Sequence, residues 1–270
     1  STNDVVRIRT VDTEQYLNTF AGALLLKDAM LAGDGLITLH SADSITQEVI
    51  DGSDKLNAQS LRIIAAGDVS LLSNDNTVDN LAADLSAGSL AYRDADDLRV
   101  STLTGTLGGS TEPVIGLTTV DAEQYINTLA GSIVLDDQIN AGNGLVTLQS
   151  SGAITQNVID ASNRLNAVDL RIIAVDAVSL LSANNDVDNL SAVLSGGSLA
   201  YRDADGIRIA RLAGTLGDST QEVVGLSTVD AEQYVHSRSG DLVLDDAIQT
   251  GAALLTLHSG GAIIQNALNS

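Results

Sequence analysis

The residues best suited to chemistry in this sequence are pairs of aspartates. Asp94 and Asp96 lie two positions apart, and the pair returns as Asp203 and Asp205 in a matching segment. Side chains at positions i and i+2 of a strand point to the same side, and carboxylate oxygens are the ligands that calcium prefers. These four aspartates are therefore our candidate calcium ligands. The alternative is a solvated turn whose charges protect a strand edge.

Other metal and cofactor motifs do not occur in the sequence. An EF-hand needs about five or six ligands in one loop, and that pattern is missing, as are the glycine-rich nonapeptides of calcium-binding β-helices. There is no phosphate loop, nucleophile elbow or zinc motif, and the chain has no cysteine. We predict no cofactor other than calcium.

Paired carboxylates also serve polysaccharide-cleaving enzymes, some of which are parallel β-helices. Such enzymes need basic residues to hold an acidic substrate and to act as a base. Lysine occurs only as Lys27 and Lys55. The acidic groups also recur in each copy of the repeat described below, whereas an active site is a singular feature. We predict that the chain is not an enzyme and name no catalytic residue.

The three histidines do not form a pattern typical of a metal site. His40 and His258 occupy the same position of the repeat, but the copy between them has Gln149 there, and His236 has no histidine counterpart. We interpret all three as solvent-facing strand residues.

The chain contains an internal repeat. The segment VDTEQY at residues 11–16 returns as VDAEQY at residues 120–125 and again at residues 229–234, a step of 109 residues each time. A fixed period of this kind is typical of repeat architectures, in which each unit buries its apolar surface against its neighbours. The copies are residues 1–109, residues 110–218 and the partial copy 219–270, which we expect to form one continuous solenoid.

Short apolar runs separated by Gly, Asn, Asp and Ser predict short strands. A shorter spacing lies inside the long one, because Leu61 to Leu81 is 20 residues and Val69 to Leu90 is 21. A coil of about 20–22 residues indicates an all-β fold, a parallel β-solenoid of about thirteen coils with roughly five in each copy. The alternative is a tandem array of immunoglobulin-like sandwiches. The missing tryptophan and the single proline, Pro113, argue against that array.

Composition supports a stacked aliphatic core. The chain is 44% hydrophobic but only 2% aromatic, so Leu, Ile, Val and Ala must form its interior. We expect Asn and Asp in left-handed bends, as at residues 73–76 and 182–185. The formal net charge of −22 disfavours nucleic acid and anionic lipid as partners. No apolar segment is long enough for a membrane span.

Several segments of the chain carry a family resemblance. They are AGSIVL (130–135), AGNGLVTL (141–148), GAITQ (152–156) and AVSLLS (177–182), the last followed by NNDV (184–187). The sequence resembles the repeats of filamentous haemagglutinin-like exoproteins. That resemblance implies a right-handed parallel β-helix, export by two-partner secretion or as an autotransporter, and an extracellular or bacterial cell-surface location.

The resemblance also implies a structural and adhesive role. Such a chain would be a stretch of shaft that mediates attachment or builds an extracellular fibre. The third copy stops about half-way, at residues 262–268, so we expect neighbouring repeats of a longer chain, or identical chains end to end, as partners. A host or surface glycan or protein receptor is a further expected partner. The alternatives are a self-polymerising filament or matrix subunit and, in another class, a polysaccharide-active β-helix enzyme.

Overall fold

In a computed structural model, the described residues 2–49, 52–108, 111–157, 162–218 and 220–266 are built from β-strands without any helix. The strands stack in parallel as a β-solenoid of about 12 turns, a right-handed parallel β-helix. The predicted fold is confirmed, and the immunoglobulin-like alternative is wrong because the long ladders are parallel. Residues 267 and 268, where the third copy was expected to stop, lie outside the described residues, as do 109, 110 and 219 at the copy boundaries.

The same order of strands is repeated from copy to copy. The strands of the first copy are β1 (Thr2–Val5), β2 (Ile8–Arg9), β3 (Gln15–Thr19), β4 (Ala23–Leu26), β5 (Met30–Ser41), β6 (Ile45–Gln47), β7 (Leu56–Ala65), β8 (Val69–Leu71), β9 (Thr77–Leu85), β10 (Leu90–Asp94), β11 (Leu98–Val100) and β12 (Thr102–Leu103). Those of the second copy are β13 (Val114–Ile115), β14 (Leu117–Thr118), β15 (Gln124–Thr128), β16 (Ile133–Leu135), β17 (Ile139–Ser150), β18 (Ile154–Gln156), β19 (Leu165–Ala174), β20 (Val178–Leu180), β21 (Asp186–Leu194), β22 (Leu199–Asp203), β23 (Ile207–Ile209) and β24 (Arg211–Leu212). The third copy contains β25 (Val223–Val224), β26 (Leu226–Ser227), β27 (Gln233–Ser237), β28 (Leu242–Leu244), β29 (Ile248–Gln249), β30 (Leu255–Ser259) and β31 (Ile263–Gln265).

Two long ladders run the length of the solenoid. The first ladder stacks β3, β5, β7, β9, β11, β16, β18, β20, β22, β27 and β30. The second ladder stacks β1, β4, β6, β8, β10, β15, β17, β19, β21, β23, β28 and β31. Each turn of the chain therefore contributes one strand to each ladder.

Successive copies place the same residues on different ladders. Tyr16 lies in β3 of the first ladder, its counterpart Tyr125 lies in β15 of the second, and Tyr234 in β27 returns to the first. Nine turns and two repeats separate β3 from β27, so one repeat makes four and a half turns rather than the expected five. The half turn is the reason for the alternation.

Aliphatic stacks form the core, as the composition predicts. Ile37, Leu61, Leu81 and Val100 follow one another along the first ladder, and each is 0% exposed. The predicted spacing between Leu61 and Leu81 is confirmed by their direct pairing. Burying such side chains is worth roughly 1.5–3 kcal/mol each. A column of equivalent aliphatic residues thus supplies the main stabilisation in a fold with few aromatics.

The left-handed bends differ from the prediction. Among the described residues other than glycine, positive φ angles of 50°, 51° and 48° belong to Asp12, Asp121 and Asp230, the aspartates of the repeated hexapeptide. Residues 73–76 and 182–185 lie in turns but have no left-handed residue. Asn76 instead points inward, where its Oδ1 accepts hydrogen bonds from the Leu56 N–H and from Gln47 Nε2, both 2.9 Å away. Its amide is used to satisfy buried backbone rather than to form a bend.

Two segments leave the solenoid wall and fold back over it. We call residues 101–116 the first strap and residues 210–225 the second strap. In each strap two short strands pair antiparallel, β12 with β13 and β24 with β25. The first strap lies against β7 and β9, and the second against β19 and β21. In the part of the chain that the structure describes, no helix has the length and hydropathy of a membrane span.

Candidate functional site

The candidate ligand Asp94 turns into the solenoid. It is 0% exposed, and its Oδ2 accepts hydrogen bonds from the Tyr92 hydroxyl at 2.6 Å and from the Val78 N–H at 3.1 Å. Its Oδ1 accepts the N–H of Asp96 at 3.1 Å. Both oxygens of this carboxyl therefore already have protein donors.

Asp203 repeats this arrangement in the second copy. Its Oδ2 accepts the Tyr201 hydroxyl at 2.8 Å and the Val187 N–H at 3.1 Å, and its Oδ1 accepts the Asp205 N–H at 3.2 Å. Burial raises the pKa of Asp94 to about 8 and that of Asp203 to about 7. Each carboxyl ties its own strand to the backbone of the preceding turn.

Asp96 and Asp205 lie outside, on the exposed side of the same turns. Each exposed aspartate donates its backbone N–H to the carboxyl of the buried aspartate two residues before it. The two carboxylates of a pair therefore lie on different sides of the solenoid wall. No group of three His, Cys, Asp or Glu side chains that could hold a metal occurs among the described residues. The calcium assignment stays a prediction, and Asp94 and Asp203 have a structural task that the sequence did not reveal.

The first strap is clamped to the opposite end of its own copy by Glu14. The Glu14 carboxylate accepts hydrogen bonds from the Thr106 N–H at 3.0 Å, the Leu107 N–H at 3.2 Å and the Thr106 hydroxyl. Partial burial opposes ionisation, but these hydrogen bonds outweigh it and hold the pKa of Glu14 below its usual value. Glu14 lies beside β3 and Thr106 follows β12, so the clamp spans four turns of the first ladder.

A glycine allows the strap to lie flat on the aromatic ring of β3. Gly108 has a φ of 64°, and a Cβ added there would lie 2.2 Å from Cε1 of Tyr16. Gly217 has a φ of 55°, and its Cβ would lie 2.4 Å from Cε1 of Tyr125. Both the backbone conformation and the close approach require glycine here.

An arginine beneath each strap holds the strap's backbone. Arg62 is 1% exposed, and its Nη2 donates a hydrogen bond of 2.7 Å to the Glu112 carbonyl. Arg171 is 0% exposed and donates in the same way to the Gln221 carbonyl. Burial lowers the pKa of both guanidinium groups, and nearby Glu14 and Glu123, respectively, partly offset that effect.

The tip of the second strap contacts both its own copy and the first copy. Glu123 accepts the N–H groups of Thr215 and Leu216, at 2.9 and 3.3 Å. Asp218, next along the tip, forms an ion pair with Arg93 of the first copy. Arg93 is only 5% exposed, but the Asp218 side chain is 73% exposed, so solvent screens this ion pair from the Asp218 side.

The histidines are more closely associated than their spacing in the sequence suggests. His236 and His258 occupy adjacent turns of the first ladder with ring centroids 4.2 Å apart. The Tyr234 hydroxyl lies 3.1 Å from Nδ1 of His236. Partial burial, the neighbouring His258 and two arginines lower the pKa of His236. His258 is exposed as predicted, whereas His40 and His236 are half-buried.

Equivalent open grooves occur where the first copy meets the second and where the second copy meets the third. The grooves have volumes of about 420 and 390 Å³. Matching residues line both, including Asp79 with Asp188, Leu98 with Ile207, Arg99 with Arg208 and Val134 with Val243. Within the described residues, the copies thus share their surface features as well as their core.

The straps are a structural feature that the sequence prediction missed. Their signal was present, because Leu90 pairs with Gln124 across 34 residues, well beyond the 20–22 of an ordinary coil. The tetrapeptide GTLG at residues 105–108 and 214–217 marks both tips.

No protein-family model, curated protein or solved structure matches this chain. The resemblance to filamentous haemagglutinin-like exoproteins therefore rests on sequence segments alone.

Proposed function

We propose that this chain is a length of shaft from a large, filamentous bacterial protein of the cell surface or extracellular space. It would hold an adhesive region at a distance or build an extracellular fibre. The observation that carries the proposal is the pair of straps. Each joins turns that are far apart along the axis, which is the direction in which a shaft is loaded.

The direction of the hydrogen bonds determines how a solenoid bears a load. In a solenoid the bonds between strands of adjacent turns run along the axis, at about 4.8 Å per turn. A pulling force along the axis therefore loads them directly. The Glu14 clamp and the Arg62 contact act in parallel with these bonds across several turns. Separating the turns beneath a strap requires the strap to detach as well.

Uniformity of the copies favours a shaft over an enzyme. The clamps and the buried aspartates occur in equivalent positions of the first two copies, and equivalent grooves lie at the two junctions between copies. A catalytic site would be expected in one place with features that its counterpart lacks. A surface with evenly repeated features is typical of a component that serves to extend a protein.

The expected partners are neighbouring repeats of a longer chain, or identical chains stacked end to end, because parallel turns that share one register can stack on one another. The second possibility is the self-polymerising filament, and a receptor or glycan would bind the adhesive region.

Single-molecule pulling along the axis tests the mechanical role. The double variant Glu14→Gln, Glu123→Gln is expected to unfold at a lower force than the wild-type chain, because both clamps lose their charge-assisted hydrogen bonds. Glu232→Gln is the matched control, since no described strap contacts Glu232. Equal unfolding forces for the wild type, the double variant and the control would contradict the shaft proposal.

Three further measurements test the remaining parts. Electron microscopy of the purified chain should show short rods, and fibres of such rods would favour the polymerising alternative. Antibody labelling of intact producing cells should detect the chain at their surface. Release of new reducing ends from an acidic polysaccharide would instead favour an enzyme.

A further inference from the structure

The second strap closes over a column of polar side chains in the wall of the solenoid. Leu170 and Ile172 belong to the buried core, so Arg171 between them points out of the wall, towards the strap. Arg171 is nevertheless 0% exposed, because the strap lies against β19 and β21. Thr147 and Ser191 pair with Arg171 on the turns before and after it, and each is also 0% exposed. The strap thus buries one guanidinium group and two hydroxyl groups together.

These side chains have unused hydrogen-bond donors. The Nη2 of Arg171 donates to the Gln221 carbonyl of the strap, whereas its Nε and Nη1 have no hydrogen-bond partner among the described residues. The hydroxyls of Thr147 and Ser191 likewise have no partner in that part of the chain. Buried polar groups in folded proteins nearly always have a partner. Four such atoms in one column therefore indicate that a ligand binds there.

Arg171 also lacks an ionic partner. None of the ion pairs among the described residues includes it, and a guanidinium group stays charged in proteins. The carboxylate whose charge acts on it is Glu123, which already accepts the N–H groups of Thr215 and Leu216. A buried charge is costly unless it is both paired and hydrogen-bonded. The ligand that fits this column is therefore negatively charged.

We propose that Arg171, Thr147 and Ser191 form a binding site for a small monovalent anion, of the size of chloride, beneath the second strap. All the unused groups can donate hydrogen bonds, and the guanidinium charge would repel a cation. A water molecule would accept hydrogen bonds but would leave that charge uncompensated. Arg171 contacts the strap backbone directly, which favours a halide over a larger anion such as sulfate. The inference does not depend on the shaft role.

The first copy differs from the second at one position of this column. Thr38, Arg62 and Ala82 pair with one another in the same register, so an alanine occupies the position equivalent to Ser191. The variant Ser191→Ala thus gives the second column the residue types of the first. Because the first column already carries a strap with an alanine there, this variant is expected to keep the fold while losing one donor to the anion.

Thermal unfolding of the full chain tests the site with chloride as the probe. When sodium gluconate is replaced stepwise by sodium chloride at constant ionic strength, the wild-type midpoint should rise and then saturate, because an ion that binds the folded state stabilises it. Ser191→Ala should weaken the apparent chloride affinity about tenfold, since a hydrogen bond to a charged group is lost. Arg171→Gln should abolish the dependence on chloride. Arg7→Gln, which removes an exposed arginine, should respond as the wild type does.

Crystals grown in sodium bromide locate the ion. Bromide should give an anomalous peak within hydrogen-bond distance of Arg171 and of the Thr147 or Ser191 hydroxyl. Circular dichroism verifies that each variant is folded, and if Arg171→Gln is not, Ser191→Ala and the bromide crystals decide the question. Three outcomes would overturn the proposal: a wild-type midpoint that does not respond to chloride, a response that the folded variants retain unchanged, or bromide peaks only at other places, which would mean an adventitious ion only.

Discussion

The carboxylate of Glu14 accepts the main-chain N–H of Thr106 at 3.0 Å across 92 residues of sequence. The same contact joins Glu123 to Thr215 in the next copy, again across 92 residues. One acidic side chain thus fixes the far end of its own repeat. This pairing converts a stack of turns into a strapped unit.

Glu14→Gln should loosen the first strap without disturbing the core. The neutral amide accepts weaker hydrogen bonds than a carboxylate, so we expect a loss of about 1 kcal/mol for this partly exposed site. Amide hydrogen exchange should quicken at Thr106 and Leu107. Glu232→Gln is the matched control, because no strap among the described residues contacts Glu232. Equal exchange rates at Thr106 in the wild type and in Glu14→Gln would contradict the clamp.

Gly108→Ala should displace the first strap more severely. The alanine must adopt a φ of 64°, and its Cβ would lie 2.2 Å from the Tyr16 ring. We expect a destabilisation of about 1–3 kcal/mol, visible as a lower thermal midpoint and faster proteolysis within the strap. Gly206→Ala is the control, because a Cβ there would lie no closer than 3.3 Å to any neighbour and Asp97 occupies the equivalent position. A comparable loss in both variants would show that the strap has no special demand for glycine.

Stability should fall as the pH rises from weakly acidic to alkaline values. The folded-state pKa of Asp94 is raised to about 8 and that of Asp203 to about 7, above the ordinary value of 3.8. Between those values the folded state binds protons that the unfolded state has released. As the pH rises through this range, each carboxyl therefore lowers the unfolding free energy by up to about 1.4 kcal/mol per pH unit. The stabilising contribution of each carboxyl is complete below the unfolded-state pKa of 3.8. It is lost as the pH rises to the folded-state pKa of about 7 for Asp203 and about 8 for Asp94.

The double variant Asp94→Asn, Asp203→Asn separates this effect from other titrations. It should flatten the dependence of the unfolding free energy on pH between pH 5 and 9, as measured by urea denaturation. Its absolute stability can differ from the wild type, because an amide cannot accept every bond that the carboxyl accepts. Asp176→Asn should keep the wild-type slope. A wild-type slope in the double variant would mean that the buried carboxyls titrate normally.

Calcium should act on this protein as a general divalent ion. Asp94 and Asp203 are occupied by hydroxyl and backbone donors, so we expect calcium and magnesium at equal concentrations to shift the thermal midpoint equally. The comparison needs the same ionic strength in both samples. A shift specific to calcium, and lost in Asp96→Asn, would instead confirm the aspartates as ligands.

The sequence predicted the solenoid because stacking is a local rule repeated many times. Leu61 and Leu81 are 20 residues apart and pair directly, so the spacing of aliphatic residues was sufficient to predict one turn on the next. The period of 109 residues likewise predicted equivalent surfaces. The assumption that Asp94 and Asp96 lie on one side was wrong, since Asp94 lies inside the solenoid while Asp96 lies outside it, and calcium binding itself stays a prediction. The bend at the end of β10 decides that orientation, and strand alternation alone could not.

By itself the sequence determined the fold class, the repeat and the aliphatic core, because these follow from the spacing of residue types along the chain. The tertiary structure alone decided that Tyr16 and Tyr125 lie on different ladders, since that depends on a repeat making four and a half turns. It also decided that Glu14 would meet Thr106. Such a contact depends on where the strap lies after four turns have stacked, and a local pattern of residues does not specify that position.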